Sequence, residues 1–297
     1  MNVCFLKIKI NEKEEIILNC KEEGLSKLRR LQLIEADALS ELKKICDKEG
    51  IRFFLRGGSV MGAVKYGGFV PWDDDMDIAV PREDYERLIE KFQNKIIANK
   101  YIITSYRSNS DMHCYFPRLF LKEDVRKQEG LPKDNVLGLH LIDILPLDGA
   151  PENIVLRHIY FLKVYCLRML GSLGTATTDA VGMHNKKQEM VINILKSMKL
   201  NKLFSQKSIY LKLEKIYTKY NWKTSRYSGT ITGSLIRKEV MPSYIWGMGV
   251  MKIFENEKYV VPTEYDKYLK RLYGYNYMNE EPNPEKRKSH LGKNRLS

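Results

Sequence analysis

The sequence predicts an α/β (α+β) fold: a mixed β-sheet flanked by helices, with a helical insert. Three observations predict it. Short apolar runs bounded by Gly, Pro or Asp, at 51–55, 75–80 and 139–145, read as strands. Segments with apolar residues at steps of three and four alternate with them and read as helices. From 152 to 222 the helical pattern takes over, rich in Lys, Leu and Tyr, before strand-like text returns at 252–262.

In chain order, residues 3–10 and 15–20 are expected to be short strands around a polar turn. Leu25, Leu28, Leu31, Ile34, Ala38, Leu42 and Ile45 mark an amphipathic helix that Gly50 stops. The strand at 51–55 runs into Gly57-Gly58-Ser59, and Ser59 is suited to cap a short helix through Tyr66. Residues 67–71 are a loop. The strand at 75–80 ends at Pro81, which opens a helix with Glu83 and Asp84 in its first turn, continuing to Phe92. Further strands are expected at 101–106 and 114–121, with a polar loop at 124–138. The strand at 139–145 is closed by Pro146 and the turn pair Asp148-Gly149. Residues 154–170 are apolar but interrupted by Arg157, His158, Lys163 and Arg168, and read as a helix that either lies on a membrane surface or caps a domain. A helix at 264–273 ends at Gly274, and the tail from 279 is polar and basic. The expected organisation is a core at 1–150, a mainly helical region at 151–250 and a segment at 251–297 that packs back on the core.

Composition narrows the class. The chain has 297 residues, 43% apolar and 29% charged, enough for a packed core without a disordered bias. Its formal net charge of +13 suits anionic partners: nucleotides, acidic polymers or lipid headgroups. The five cysteines are scattered, with no C-x-x-C pair, which argues against a disulfide framework or cysteine zinc site and fits a reducing cytosol. The N-terminus has no signal-peptide pattern, and no apolar run reaches the roughly 18 residues of a membrane span.

The chemistry concentrates at 55–80. Asp73, Asp74, Asp75 and Asp77 crowd next to Trp72 and directly precede an apolar run. Such like charges raise one another's pKa unless a cation sits among them, and a hard divalent ion with oxygen ligands is the simplest answer. On a strand Asp75 and Asp77 face the same way. Asp143 lies between Ile142 and Ile144 in a separate apolar run, where an ionised carboxylate needs a partner. Beside Asp75 and Asp77 it would complete a three-carboxylate cup, with Asp73 and Asp74 shaping the loop. The Gly57-Gly58-Ser59 turn offers backbone N–H groups to phosphate. A phosphate turn followed by a two-carboxylate strand is the layout of a nucleotidyltransferase-type site.

The run from Gly57 to Ile78, with Pro-Trp-Asp-Asp-Asp-Met-Asp at its end, closely resembles the signature of the LicD family, a bacterial group of phosphocholine and related phosphotransferases with the fukutin-related proteins as distant relatives. Residues 81–85, the Asp143 segment at 141–149 and the text Tyr265-Asp266-Lys267-Tyr268-Leu269-Lys270-Arg271-Leu272-Tyr273-Gly274 extend the match; 155–245 matches only loosely. Ser289-His290-Leu291 stands where the family ending often has two histidines.

The resemblance implies a nucleotidyltransferase fold that passes a phosphoryl-alcohol unit from a CDP-linked alcohol, CDP-choline foremost, to a glycan hydroxyl of a lipopolysaccharide or teichoic acid precursor. It implies Mg²⁺ (or Mn²⁺) on Asp75 and Asp77, with Asp143 as third ligand or as the base. Gly57, Gly58 and Ser59 would hold a phosphate oxygen, with Lys65 and Arg118 as cationic candidates, and Trp72 at the mouth as one wall for a quaternary ammonium. The region 151–250 would face the acceptor. His113, His140, His158 and His184 lack metal-ligand spacing and read as structural or surface residues. The expected setting is cytoplasmic, at the inner face of the cell membrane, with a lipid-linked acceptor, peripheral contact with anionic lipid and no nucleic acid. Two alternatives stand: a nucleotidyltransferase adding NMP to a nucleic acid or small molecule, and a non-catalytic basic protein that binds membrane or polymer.

Overall fold

A computed structural model of the chain describes residues 26–172 and 205–279. The strands expected at 3–10 and 15–20, His184 and the tail beyond 279 lie outside the described residues. Helix α1 (Lys27–Glu49) begins where the Ser26 hydroxyl accepts the Arg29 N–H at 3.2 Å and ends at Gly50 in the left-handed conformation. Its buried stripe includes Leu31, Ile34, Ala38, Leu39, Leu42 and Cys46, close to the periodicity read in the sequence.

The central sheet is mixed. It contains β1 (Phe54–Leu55), β2 (Met76–Pro81), β3 (Ile96–Ile97), β4 (Tyr101–Thr104), β5 (Arg118–Leu121) and β6 (Leu139–Ala150), in the order β1-β2-β6-β5-β4-β3. Strands β2 and β6 are parallel, and the other pairs along this path are antiparallel. The far end of β6 pairs with β7 (Tyr227–Gly229), which pairs with β8 (Met241–Pro242). Strands β9 (Val250–Phe254) and β10 (Glu257–Val261) form a separate hairpin. The remaining helices are α2 (Gly57–Met61), α3 (Arg82–Phe92), α4 (Glu123–Gln128), α5 (Ile154–Ser172), α6 (Gln206–Tyr217), α7 (Ile236–Glu239) and α8 (Tyr265–Tyr273). A π-helical turn, Gly62–Tyr66, continues α2.

Four local expectations are corrected. The strand expected at 51–55 is only the two-residue β1. The expected loop at 124–138 begins inside α4, where Arg126 binds Glu123 through both Nε (3.0 Å) and Nη2 (2.9 Å). The strand text at 252–262 is a hairpin that turns at Glu255, whose φ is 55°. Finally, β6 runs through Pro146 and Asp148-Gly149 rather than stopping there. Ile144 N–H donates to the Pro117 carbonyl at 3.0 Å, on the β5 flank. Two residues on, the Pro146 nitrogen faces that same flank past the start of β5, so no ladder hydrogen bond is lost.

The main core joins α1, β1, β2 and β6 with residues from the C-terminal part, among them Trp246, Phe254, Tyr259, Tyr268 and Leu269. A second cluster joins α5 and α6 through Tyr160, Phe161, Val164, Tyr210, Leu213 and Tyr217. The two are tied by a buried ion network. Asp148, fully buried, accepts from Arg82 Nε at 2.7 Å and Nη2 at 2.6 Å. Arg82 Nη1 also bonds Glu214 of α6, and Arg107 reaches the same carboxylate at 2.9 Å. Among the described residues no helix is long and apolar enough to cross a membrane.

Removing one partner of such a pair strands the other charge. Asp148→Ala is expected to destabilise the protein by about 3–5 kcal/mol, with Asp148→Asn milder, as read from the midpoint of urea unfolding.

Candidate active site

Strand register assembles the site. Asp77 on β2 is directly opposite Asp143 on β6, and Asp143 is opposite Arg118 on β5. Residues in register on neighbouring strands project from the same face, so the three side chains form a row across the sheet. The flanking residues Met76, Ile78, Ile142 and Ile144 are buried in the opposite layer. Arg118 Nε lies 2.7 Å from Asp143 Oδ1, and Nη2 donates to Oδ2 at 3.4 Å. The first contact is an ion pair without good hydrogen-bond alignment, so that Nε and that Oδ1 have no well-aligned partner. Burial opposes the charge on Arg118, and Asp143 together with Cys114 and Asp134 more than offsets it to raise the pKa.

At the other end of the row stands Arg56, at the β1–α2 junction. Its Nη1 donates to Asp77 Oδ2 at 2.5 Å, its Nε to Glu239 Oε2 at 2.8 Å and to Thr230 Oγ1 at 2.9 Å, and its Nη2 to Glu239 Oε1. Glu239, on α7, is completely buried. Burial disfavours the guanidinium charge, but the two carboxylates overcome it and hold the pKa well above its ordinary value. The turn that follows braces the same strand. Ser59 Oγ accepts the Asp77 N–H at 3.2 Å, and Gly57 N–H donates to the Tyr268 hydroxyl of α8 at 2.9 Å.

Within the turn expected to hold phosphate, three groups have partners in the fold. Gly57 N–H and Ser59 N–H, the latter bonded to the Arg56 carbonyl at 3.0 Å, are used inside the fold. The Ser59 hydroxyl is bound to the strand rather than turned to a ligand. Gly58 has another reason to lack a side chain: a β-carbon there would fall 2.4 Å from Asp73 Oδ2.

The acids gather somewhat differently from the expected cup. Asp73, Asp74 and Asp75 have carboxylate oxygens all within 4.8 Å of one another, and they are the metal-competent trio among the described residues. Asp75 precedes β2 rather than lying in it. Burial pushes the Asp73 carboxyl up to about 7, against a hydrogen bond from Asp75 and with further lift from Asp77 and Asp74. Burial also raises Asp77 to about 7; Arg56 opposes this, while Asp75, Asp143 and Glu239 reinforce it. A cluster in which acids outnumber guanidiniums, with oxygen donors only, fits a hard divalent cation. Among the described residues Asp73, Asp74 and Asp75 have oxygens close enough together to hold one, and Asp77 follows them on β2.

The other expected residues sit around this row. Trp72 is half-buried and packs edge-on against Tyr66, with ring centroids 6.3 Å apart. Lys65 Nζ lies 5.3 Å from the Tyr66 ring centre and donates to the Tyr277 carbonyl at 3.3 Å. Four residues enter that sequence reading did not assign: Arg56, Glu239, Tyr273 and His140. Tyr273 is 46% exposed overall, yet its hydroxyl points inward, 3.7 Å from where a Gly57 β-carbon would be. Burial of that hydroxyl and the charge on Asp73 push its pKa up, so it stays protonated and able to donate. His140, read as structural, has Nδ1 on Asp134 and Nε2 3.9 Å from Asp143 Oδ1.

Residues 50–124 match the family profile described as LicD/FKTN/FKRP, nucleotidyltransferase domain. The chain is 24% identical over 266 residues to the lipopolysaccharide cholinephosphotransferase LicD of Haemophilus influenzae, covering 89% of this chain and 96% of that protein. It is 40% identical over 40 residues to the human ribitol 5-phosphate transferase FKRP, 14% of this chain and 8% of that one. An uncharacterized Rickettsia typhi protein is 28% identical over 153 residues, 47% of this chain and 43% of that protein. Residues 50–124 of the LicD-family match include Arg56, the turn, all four clustered aspartates of 73–77 and Arg118; Asp143 lies beyond it.

The raised carboxyls set a pH dependence. Asp73 and Asp77 bind protons more tightly folded than unfolded, so their contribution is fully present below about pH 4 and is lost as pH rises toward 7. In chelator, the thermal midpoint is expected to carry this downward component between pH 4 and 7. Added Mg²⁺ should flatten it and release protons near neutrality, measured by calorimetry with and without EDTA.

Proposed function

We propose that this chain is a LicD-type transferase that moves a phosphoryl-alcohol unit, phosphocholine from CDP-choline in the first instance, to a hydroxyl of a lipopolysaccharide-like or teichoic acid glycan. The observation that carries this reading is the row Arg56–Asp77–Asp143–Arg118 beside the Asp73–Asp75 cluster, within a domain similar to a cholinephosphotransferase. Phosphoryl transfer asks a protein for positioning and charge neutralisation rather than covalent chemistry, and this row supplies fixed charges of both signs.

A divalent ion on Asp73, Asp75 and Asp77, Mg²⁺ or Mn²⁺, would neutralise the donor's phosphate charge when bound. The chain's own residues do the rest. Arg56 fixes Asp77, and Arg118 fixes Asp143. Asp143 takes the proton as the acceptor oxygen bonds to phosphorus and the phosphorus–oxygen bond to CMP breaks. The protonated Tyr273 hydroxyl donates to a phosphate oxygen. Trp72 and Tyr66 offer ring faces to the choline ammonium, and the 151–250 region faces the glycan. The reaction belongs at the cytoplasmic face of the membrane, on a lipid-linked acceptor.

Asp77→Asn and Asp75→Asn are each expected to lower transfer at least about a hundredfold with the fold retained, since an electrostatic contribution of that size resides in one fixed charge. Near-normal turnover by either variant would remove the assignment. Mass detection of modified glycan should find activity abolished by EDTA and restored by Mg²⁺ or Mn²⁺. A donor screen separates the chemistry: CMP release from CDP-choline supports the proposal, whereas pyrophosphate release from CTP or ATP supports nucleotidyl transfer instead.

A further inference from the structure

On the other side of α7 and α8 from the carboxylates is a cavity of about 380 Å³. Its wall is basic and aromatic: Arg157, His158, Arg237 and Arg271 with Phe161 and Tyr227. No carboxylate lines it. None of the three arginines has an ion-pair partner among the described residues, whereas Arg29, Arg56, Arg82, Arg107 and Arg118 each have one. They are held instead by neutral groups. Arg157 stacks 3.9 Å from the Tyr227 ring centre and donates to the carbonyls of Pro151 and Glu152 at 3.0 and 3.1 Å. Arg237 lies over Phe161 and Tyr165 at 5.8 and 5.7 Å. Arg271 donates to the carbonyls of Lys238 (2.6 Å) and Val240 (3.0 Å). A guanidinium has five N–H donors, so each keeps donors to spare. Positive charges brought together without counter-charge are a site for an anion.

The cavity opens onto an apolar stripe. Ile154 lines it, and from there Val155, Ile159 and Leu162 follow along one face of α5 at steps of four and three. They are 61, 44 and 61% exposed. Leu156 is exposed beside them, and the exposed Lys163 adds a cation on the same helix. An exposed aliphatic stripe beside concentrated positive charge is the pattern of a helix lying in a membrane interface.

We propose that α5 and this cavity form a membrane-surface site for anionic phospholipid, with a headgroup phosphate between Arg157, Arg237 and Arg271 and the Val155–Ile159–Leu162 stripe in the acyl boundary. The inference does not depend on the transfer chemistry. It does connect to it structurally, since α7 carries both Arg237 and the Glu239 that holds Arg56, and α8 carries both Arg271 and Tyr273.

Co-sedimentation of the full chain with vesicles tests this. Binding is expected to vesicles of phosphatidylcholine mixed with phosphatidylglycerol, and not to phosphatidylcholine alone. Arg157→Ala with Arg237→Ala should weaken partition by about twenty-fivefold, at roughly fivefold per cation. Val155→Glu with Leu162→Glu, at exposed positions that leave the fold undisturbed, should abolish it, with the thermal midpoint of each variant compared with the parent. Four results would overturn the proposal: equal binding to both vesicle types, partition unchanged in both variants, inorganic phosphate bound at the cavity by a protein that ignores vesicles, or light scattering that shows the stripe pairing two copies of the chain.

Discussion

The structure around the acids depends on one buried cation. Arg56 is almost wholly enclosed, and an enclosed guanidinium persists only with its charge answered and its donors used. Glu239 and Asp77 answer it, 183 and 21 residues further along the sequence. That requirement draws the segment carrying Thr230 and Glu239 onto the sheet and fixes the side chain of Asp77. It also dictates composition nearby: a β-carbon on Gly233 would fall 2.5 Å from Arg56 Nη2. The Gly57-Gly58-Ser59 turn serves the same end, with Ser59 and Tyr268 tying it to β2 and α8.

Charge balance explains why the row needs two guanidiniums and still leaves room for a ligand. Arg56 is shared between Asp77 and Glu239, and Arg118 is committed to Asp143. Asp73, Asp74 and Asp75 remain crowded at the entrance to β2. Burial without enough counter-charge raises Asp73 and Asp77, an imbalance that added positive charge would relieve. The arginines hold the sheet acids in place, and the loop acids carry the excess charge.

Much of this was legible in the sequence where the signal is local. The periodicity of α1 with Ser26 and Gly50 at its ends, Pro81 before α3 and Gly274 after α8 are readable because capping and φ preferences act within a few residues. The strand texts around Asp77 and Asp143 were legible for the same reason. Pro146 misled because its meaning depends on where a neighbouring strand begins, which no local pattern states. Arg56 adjoins the glycine turn and could have been suspected, since a cation beside the aspartate strand offsets its charge. Glu239 gave no sign: its role exists only through the distant partner that burial forces on it. Tyr273 stood inside the quoted C-terminal text, but the direction of its hydroxyl comes from helix packing.

Helices α7 and α8 explain how two chemically unlike surfaces come to share one small scaffold. On α7, Arg237 and Glu239 are two residues apart, so they leave a helix on nearly opposite sides. On α8, Tyr268 and Arg271 are three residues apart and so neighbours on the helix surface, with Tyr268 reaching Gly57 and Arg271 the carbonyls at the end of α7. On α7 the cavity arginine and the carboxylate that holds Arg56 thus leave the helix on different sides. Any shift of α7 moves both, because Glu239 is bound to Arg56 while the backbone carbonyls of 237–240 are bound to Arg271. An anion seated among the arginines would therefore lie against the same short helix whose Glu239 holds Arg56 on the Asp77 side chain, while the register of Asp77 with Asp143 belongs to the β2–β6 ladder.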